Sequence, residues 1–295
     1  MYDIKSIYQP FSVEDAVNYL VENPEAVIIA GGSDVLISIR KGKLAGCSLL
    51  SIQSLQELKG VSLEQDESIK IGALTSFSNI SESSVIQKYI PVLGEAVDEV
   101  GGPQIRNIGT IGGNISNGVT SADSASTLFS LNAELEIIGP QGKRIIPISE
   151  YYLAPGKVDL KKGELLTAVY IRKENYEGFK GKYIKYAMRN AMDIATLGCS
   201  VMCRLNKEKD EIAEVHLGFG VAAPVPIRCP KAEAAVTGMK ISEELFEAFG
   251  KAAQGEVSPR NSWRASKDFR LHLVYELSKR ALRESIIKCG GAING

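Results

Sequence analysis

A chain of 295 residues, 44% hydrophobic and 23% charged, has the size for two domains and enough apolar side chains for a large core. Its 34 basic and 35 acidic residues nearly cancel, leaving a formal charge of -1, which disfavours a nucleic-acid surface or an anionic membrane as partner. No apolar run approaches the ~20 residues a membrane helix needs, and the start MYDIKSIYQPFS lacks the basic and apolar regions of a secretory signal, so the cytoplasm is the expected location.

The predicted elements begin with SVEDAVNYLVENP, where Ser12 suits an N-cap, Ala16, Val17, Leu20 and Val21 share a face, and Pro24 ends the helix. A strand follows over residues 26–29 and runs into Gly31-Gly32-Ser33-Asp34. CSLLSI and SIKIGAL read as further strands. In PVLGEAVDEVGG the apolar residues recur at helical spacing, Pro91 fits a first turn and Gly101 a stop. The long stretch RNIGTIGGNISNGVTSAD reads as a loop, leading to a helix near residues 125–131, the strand AELEII and a hairpin through GPQG to KRIIPI.

Around residues 171–181 the chain turns polar, and the domain boundary is placed there, giving domains 1–175 and 176–295. Strands are expected at 182–188, 195–205 and 211–221, and helices at 243–253 and 267–288, the last capped by Ser266. The second domain thus reads as a small antiparallel sheet with a helical layer, and the whole as α+β.

Cys47, Cys199, Cys203, Cys229 and Cys289 are odd in number and scattered, and His216 and His272 lie far apart, so buried free thiols are expected rather than disulfides or a metal site. Any redox chemistry then needs an organic cofactor. Two polar Gly-Gly segments about 80 residues apart, AGGSD and TIGGN, can be simple turns after strands or can present main-chain N–H groups to an anion such as a diphosphate. Neither is a Rossmann or P-loop motif.

AGGSDVL, GGPQIRNIGTIGGNISNGVTSADSA, KYIKYAMRNAMDIATLGC, GFGVAAPVPIRC and SPRNSWRASKDFRLHL together make the chain resemble, over nearly its whole length, the FAD-binding subunits of molybdenum hydroxylases of the xanthine dehydrogenase type. The resemblance implies a PCMH-type FAD domain of two α/β subdomains over residues 1–175, followed by the family's C-terminal domain over 176–295. It implies FAD contacts at Ile29, Ala30, Gly31, Gly32, Ser33, Asp34 and Val35, at Thr110, Ile111, Gly112, Gly113 and Asn114, and at Asp123, Leu166 and Lys185.

In that scheme Asp123 accepts hydrogen bonds from cofactor hydroxyls, Lys185 sits near the flavin pyrimidine, and Val100 stands where some relatives carry an aromatic residue. RNAMDI, with Asp193 and Ile194, flanks the approach of the electron acceptor, and Trp263 and Arg264 pack and cap the last helix. No residue receives a catalytic or metal-ligating role. Electrons would pass from 2Fe-2S clusters on a small partner subunit, filled by a molybdenum-cofactor large subunit, through FAD to NAD+ as hydride. The rivals are a stand-alone flavin oxidoreductase of the same fold and a non-enzymatic assembly module that kept the fold but lost FAD.

Overall fold

The structure, a computed structural model, describes residues 2–293. The chain opens with β1 (Ile4–Tyr8), α1 (Val13–Glu22), β2 (Val27–Ile29), α2 (Val35–Arg40) and β3 (Cys47–Ser51), whose strands form a parallel sheet in the order β1-β3-β2. Ser12 caps α1 as expected, its Oγ accepting from the Asp15 N–H at 3.1 Å. Ala16 and Leu20 pack with Leu50, Ile52, Leu58, Leu74 and Leu165 into the core of this first layer.

Next come β4 (Val61–Leu63), β5 (Ile69–Gly72), α3 (Phe77–Ser81), α4 (Ser84–Tyr89), α5 (Pro91–Asp98), α6 (Pro103–Ile108), α7 (Ile111–Ser116), α8 (Asp123–Ser130), β6 (Glu134–Gly139), β7 (Gly142–Pro147), α9 (Ile148–Tyr151), β8 (Tyr152–Ala154), β9 (Lys157–Val158) and β10 (Leu165–Ile171). A five-stranded antiparallel sheet runs β4-β5-β10-β6-β7, with β8 and β9 as a separate pair. The β6–β7 hairpin turns at Gly142, which adopts φ +99°.

RNIGTIGGNISNG, expected as a loop, instead contains the end of α6 and the whole of α7. Thr110 caps α7 by accepting from the Gly113 N–H at 3.2 Å, and that bond together with burial of Ile111 and Ile115 outweighs the poor helix propensity of two glycines.

The chain then forms β11 (Lys180–Tyr186), β12 (Leu197–Leu205), β13 (Ile212–Gly220) and β14 (Ile227–Arg228) in one antiparallel sheet, with α10 (Pro230–Val236), α11 (Glu243–Glu256) and α12 (Lys267–Lys288). Phe219, Phe246, Phe249, Val274 and Leu277 are among the residues of a separate core. The expected sheet-plus-helices architecture is what forms, with Ser242 and Ser266 capping α11 and α12. The α10 helix, beyond the expected elements, starts at Pro230, which occupies its first turn.

Close approach joins the two halves, because α8 lies against β12 and β13 at positions without side chains. A Cβ on Gly218 would sit 2.2 Å from the Ser126 carbonyl oxygen. All five cysteines are free, and Cys199, Cys203 and Cys229 are buried. Among the described residues no helix is long and apolar enough to cross a membrane, and no cluster of metal-ligating side chains occurs.

Candidate functional site

Where β2 ends, the chain turns into α2, and this turn and the α6–α7 segment packed beside it line a cavity of about 690 Å³. That size lies within the ~300–1,000 Å³ of small-molecule and cofactor sites. The start of α8, the segment around Leu160, Leu165 and Leu166, and residues 192–194 complete the wall.

Glycine is required in this wall for two different reasons. A Cβ on Gly31 would lie 2.0 Å from the Ile108 carbonyl oxygen, and one on Gly112 would lie 2.7 Å from the Ala73 carbonyl oxygen, so both positions allow main chain to pack on main chain. Gly32 adopts φ +79°, the left-handed region. Gly113 is freer, with only the Thr110 Oγ1 within reach of a Cβ, at 2.9 Å.

Hydrogen bonding distinguishes the two glycine segments. In the α6–α7 segment the amides are committed: Ile111 N–H donates to Thr75 O at 3.1 Å, Gly112 N–H to Ala73 O at 2.9 Å, and Asn114 N–H to Thr110 O at 2.9 Å. In the β2–α2 turn the N–H groups of Gly31, Gly32, Ser33, Asp34 and Val35 have no acceptor among the described residues. A run of free donors beside a cavity is what an anionic oxygen cluster requires. In the α6–α7 segment, then, the amides of Ile111, Gly112 and Asn114 are engaged within the protein, and polar side chains add to its surface. Asn114 Oδ1 accepts from Ser124 Oγ at 2.7 Å, tying α7 to α8, while Ser116 and Asn117 also line the cavity.

Asp123, the first residue of α8, lines the cavity at 9% exposure. Its Oδ1 accepts from Tyr183 OH at 2.9 Å and its Oδ2 from Lys185 Nζ at 2.9 Å. Lys185 Nζ donates in addition to the Glu99 carbonyl at 2.8 Å. Burial pushes the Asp123 carboxyl up to about 6, against the opposing pull of Lys185 and Tyr183. Burial also holds the Tyr183 phenol well above its ordinary range, so it remains a neutral donor.

Of the residues expected at the cofactor, Ala30, Gly31, Gly32, Ser33, Asp34, Val35, Thr110, Gly112, Gly113, Asn114, Asp123 and Leu166 do share this one wall. Three do not. Ile29 is spent in β2 opposite Ser51, Ile111 is fully buried in the core, and Lys185 is turned behind the wall onto Asp123, lining a smaller polar recess instead. Leu166 reaches the cavity at a register shift between β10 and β6.

Val100 lines the cavity too, as do Met192, Asp193 and Ile194 from RNAMDI. Trp263 departs from expectation: it is 77% exposed and stacked by Arg264 at 4.2 Å rather than packed on α12. The residue that sequence reasoning missed is Tyr183. Period-2 alternation along β11 puts it on the same face as Lys185, which was the available signal.

The donor run, the apolar walls at Phe77, Ala73 and Leu165, and the carboxylate at Asp123 fit an elongated, diphosphate-bearing dinucleotide such as FAD. The family described as FAD binding domain in molybdopterin dehydrogenase matches residues 2–173. The family described as CO dehydrogenase flavoprotein C-terminal domain matches residues 182–285. Over 293 residues the chain is 41% identical to the xanthine dehydrogenase FAD-binding subunit of Escherichia coli O157:H7, covering 99% of this chain and 100% of that one. It is 27% identical to the carbon monoxide dehydrogenase medium chain of Hydrogenophaga pseudoflava, covering 96% and 97%. A solved structure of carbon monoxide dehydrogenase from that organism, lacking the Mo-pyranopterin moiety, superposes with a TM-score of 0.92 over 98% of this chain and 99% of the other, at 27% identity.

Proposed function

Since the chain belongs to the FAD-binding subunits of the molybdenum hydroxylase family, we propose that it is the electron-transfer flavoprotein of a xanthine dehydrogenase-type complex, taking electrons from 2Fe-2S clusters on a small subunit and delivering hydride to NAD+. The large subunit would hold the molybdenum cofactor and the oxidisable substrate. FAD, when bound, supplies the exchange between single electrons and hydride. The observation that carries the reading is the row of free N–H groups from Gly31, Gly32, Ser33, Asp34 and Val35 beside a cofactor-sized cavity.

In this reading those amides receive the phosphate oxygens, Thr110, Gly112, Gly113 and Asn114 form the adjoining wall, and Asp123 accepts from cofactor hydroxyls. Leu166 and Val100 bound the ring system with apolar surface, Met192, Asp193 and Ile194 flank the acceptor side, and residues 1–175 and 176–295 act as the two domains. The two relatives are named for different substrates, xanthine and carbon monoxide, on one shared fold. Substrate choice accordingly belongs to a partner subunit.

The test is the purified full chain alone. It should bind about one FAD, its bound flavin should bleach with NADH under anaerobic conditions, and it should not oxidise xanthine. Xanthine oxidation without partners would remove the relay assignment, and absence of bleaching by NADH would remove NAD+ as acceptor.

A further inference from the structure

Tyr183 has no part in the expected cofactor contacts, yet it is 3% exposed and spends its hydroxyl on Asp123. Around Asp123 the arrangement is closed on the protein side. From β11, Tyr183 and Lys185 each occupy one carboxylate oxygen, and the Lys185 side chain is only 5% exposed. Following α5, Glu99 holds the same ammonium through its carbonyl, and its carboxylate is the remaining charge that acts on Asp123. On β12, Cys199 lies near Tyr183 as a thiol that burial keeps protonated. Asp123's outer side is cavity wall.

We propose that Tyr183 is a positioning residue for the cofactor: together with Lys185 it holds Asp123 as a fixed carboxylate at the cavity wall, so that FAD affinity falls when the solution is acidified. The proposal rests on the FAD reading above and specifies how that site is regulated.

Each carboxylate oxygen has a second lone pair left for a hydroxyl in the cavity. Protonating Asp123 turns one acceptor into a donor and dissolves its ion pair. The Lys185 ammonium, taken out of water, is then left with the Glu99 carbonyl alone and must move, which deforms the wall. The binding-competent fraction is therefore the ionised fraction of Asp123, and the apparent dissociation constant scales as its inverse. The midpoint lies near pH 6 in the wild type. Removing the Tyr183 hydroxyl deletes one of the two donors that oppose protonation and moves that midpoint upward by about one pH unit.

The experiment is titration of the FAD-free full chain with FAD, read by flavin fluorescence between pH 5 and pH 8, for the wild type, Tyr183→Phe, Lys185→Gln and Asp123→Asn. In the wild type the dissociation constant should be level at the alkaline end and rise about tenfold per pH unit below the midpoint. Tyr183→Phe should match the wild type at pH 8 and weaken at a midpoint about one unit higher. Lys185→Gln should shift it in the same direction, and Asp123→Asn should give a flat profile.

A wild-type profile that is flat from pH 5 to pH 8 would overturn the proposal, as would a Tyr183→Phe loss of equal factor at every pH, the signature of a structural role only. Where Tyr183→Phe does not fold, the wild-type and Asp123→Asn profiles still decide whether Asp123 carries the pH dependence that the proposal requires, a flat wild-type profile overturning it. FAD binding with either of those results leaves the cofactor reading standing and removes only the positioning role. No FAD binding at any pH removes both.

Discussion

Gly31 and Gly113 both line the cavity, but only Gly31 is hemmed in by main chain. Its Cβ would meet the Ile108 carbonyl at 2.0 Å, whereas that of Gly113 would meet a rotatable hydroxyl at 2.9 Å. Gly31→Ala should therefore cost about 1–3 kcal/mol of stability by overpacking and should abolish FAD retention. In Gly113→Ala the improved helix propensity, up to about 1 kcal/mol, offsets the contact, leaving Tm nearly unchanged. Thermal unfolding of the two variants separates them, and equal losses would contradict this reading. Sequence alone marked both glycines but could not rank them, since the clash depends on a segment about 80 residues away.

Asp123 carries a second consequence at this scale. Its folded value of about 6 lies above the ordinary 3.8, so between those values the folded chain keeps a proton that the unfolded chain has lost. This contribution to stability, about 3 kcal/mol, is full below pH 3.8 and is lost as pH rises through 6. FAD that prefers the ionised form pulls the other way. The gap in Tm between FAD-saturated and FAD-free chain should widen from pH 5 to pH 8, and Asp123→Asn should remove the widening.

Among the elements, helices with a serine cap and an apolar stripe were legible: α1 and α12 begin where Ser12 and Ser266 put them. The α7 helix was not, because glycine content argued for a loop and the deciding bond comes from Thr110. Lys185 was legible as a strand lysine near the site, but not that its ammonium turns to Asp123, because the two are 62 positions apart and only the tertiary fold brings them together.

The cavity wall from Leu160 to Leu166 hangs on one side chain of β7. Arg144 binds Asp159 at 2.8 Å and Glu164 at 2.7 Å, with Glu164 only 11% exposed. Arg144→Ala should cost about 2 kcal/mol by leaving Glu164 unpaired, and should also raise the FAD dissociation constant because Leu165 and Leu166 follow directly. Calorimetry with and without FAD checks both parts.

The molecule as a whole has, among its described residues, three apolar cores, with the functional cavity lined from the first layer and from the layer of the five-stranded sheet, and with Tyr183 supplied by the four-stranded sheet across a seam of small residues. Composition announced two domains. The seam stayed hidden, because Ser126 and Gly218 are unremarkable until α8 is laid on β13. Gly218→Val should push α8 away, lowering Tm and FAD retention together, since the same helix carries Asp123. Loss of stability with FAD affinity intact would place the cofactor away from α8.

Amide hydrogen exchange of the full chain, with and without one equivalent of FAD, reaches the core of the account most directly. Slowed exchange at Gly31, Gly32, Ser33, Asp34 and Val35 is the predicted result, since these N–H groups alone gain acceptors from the phosphates. Unchanged exchange across the five, with FAD demonstrably bound, would contradict it and place the cofactor on another surface.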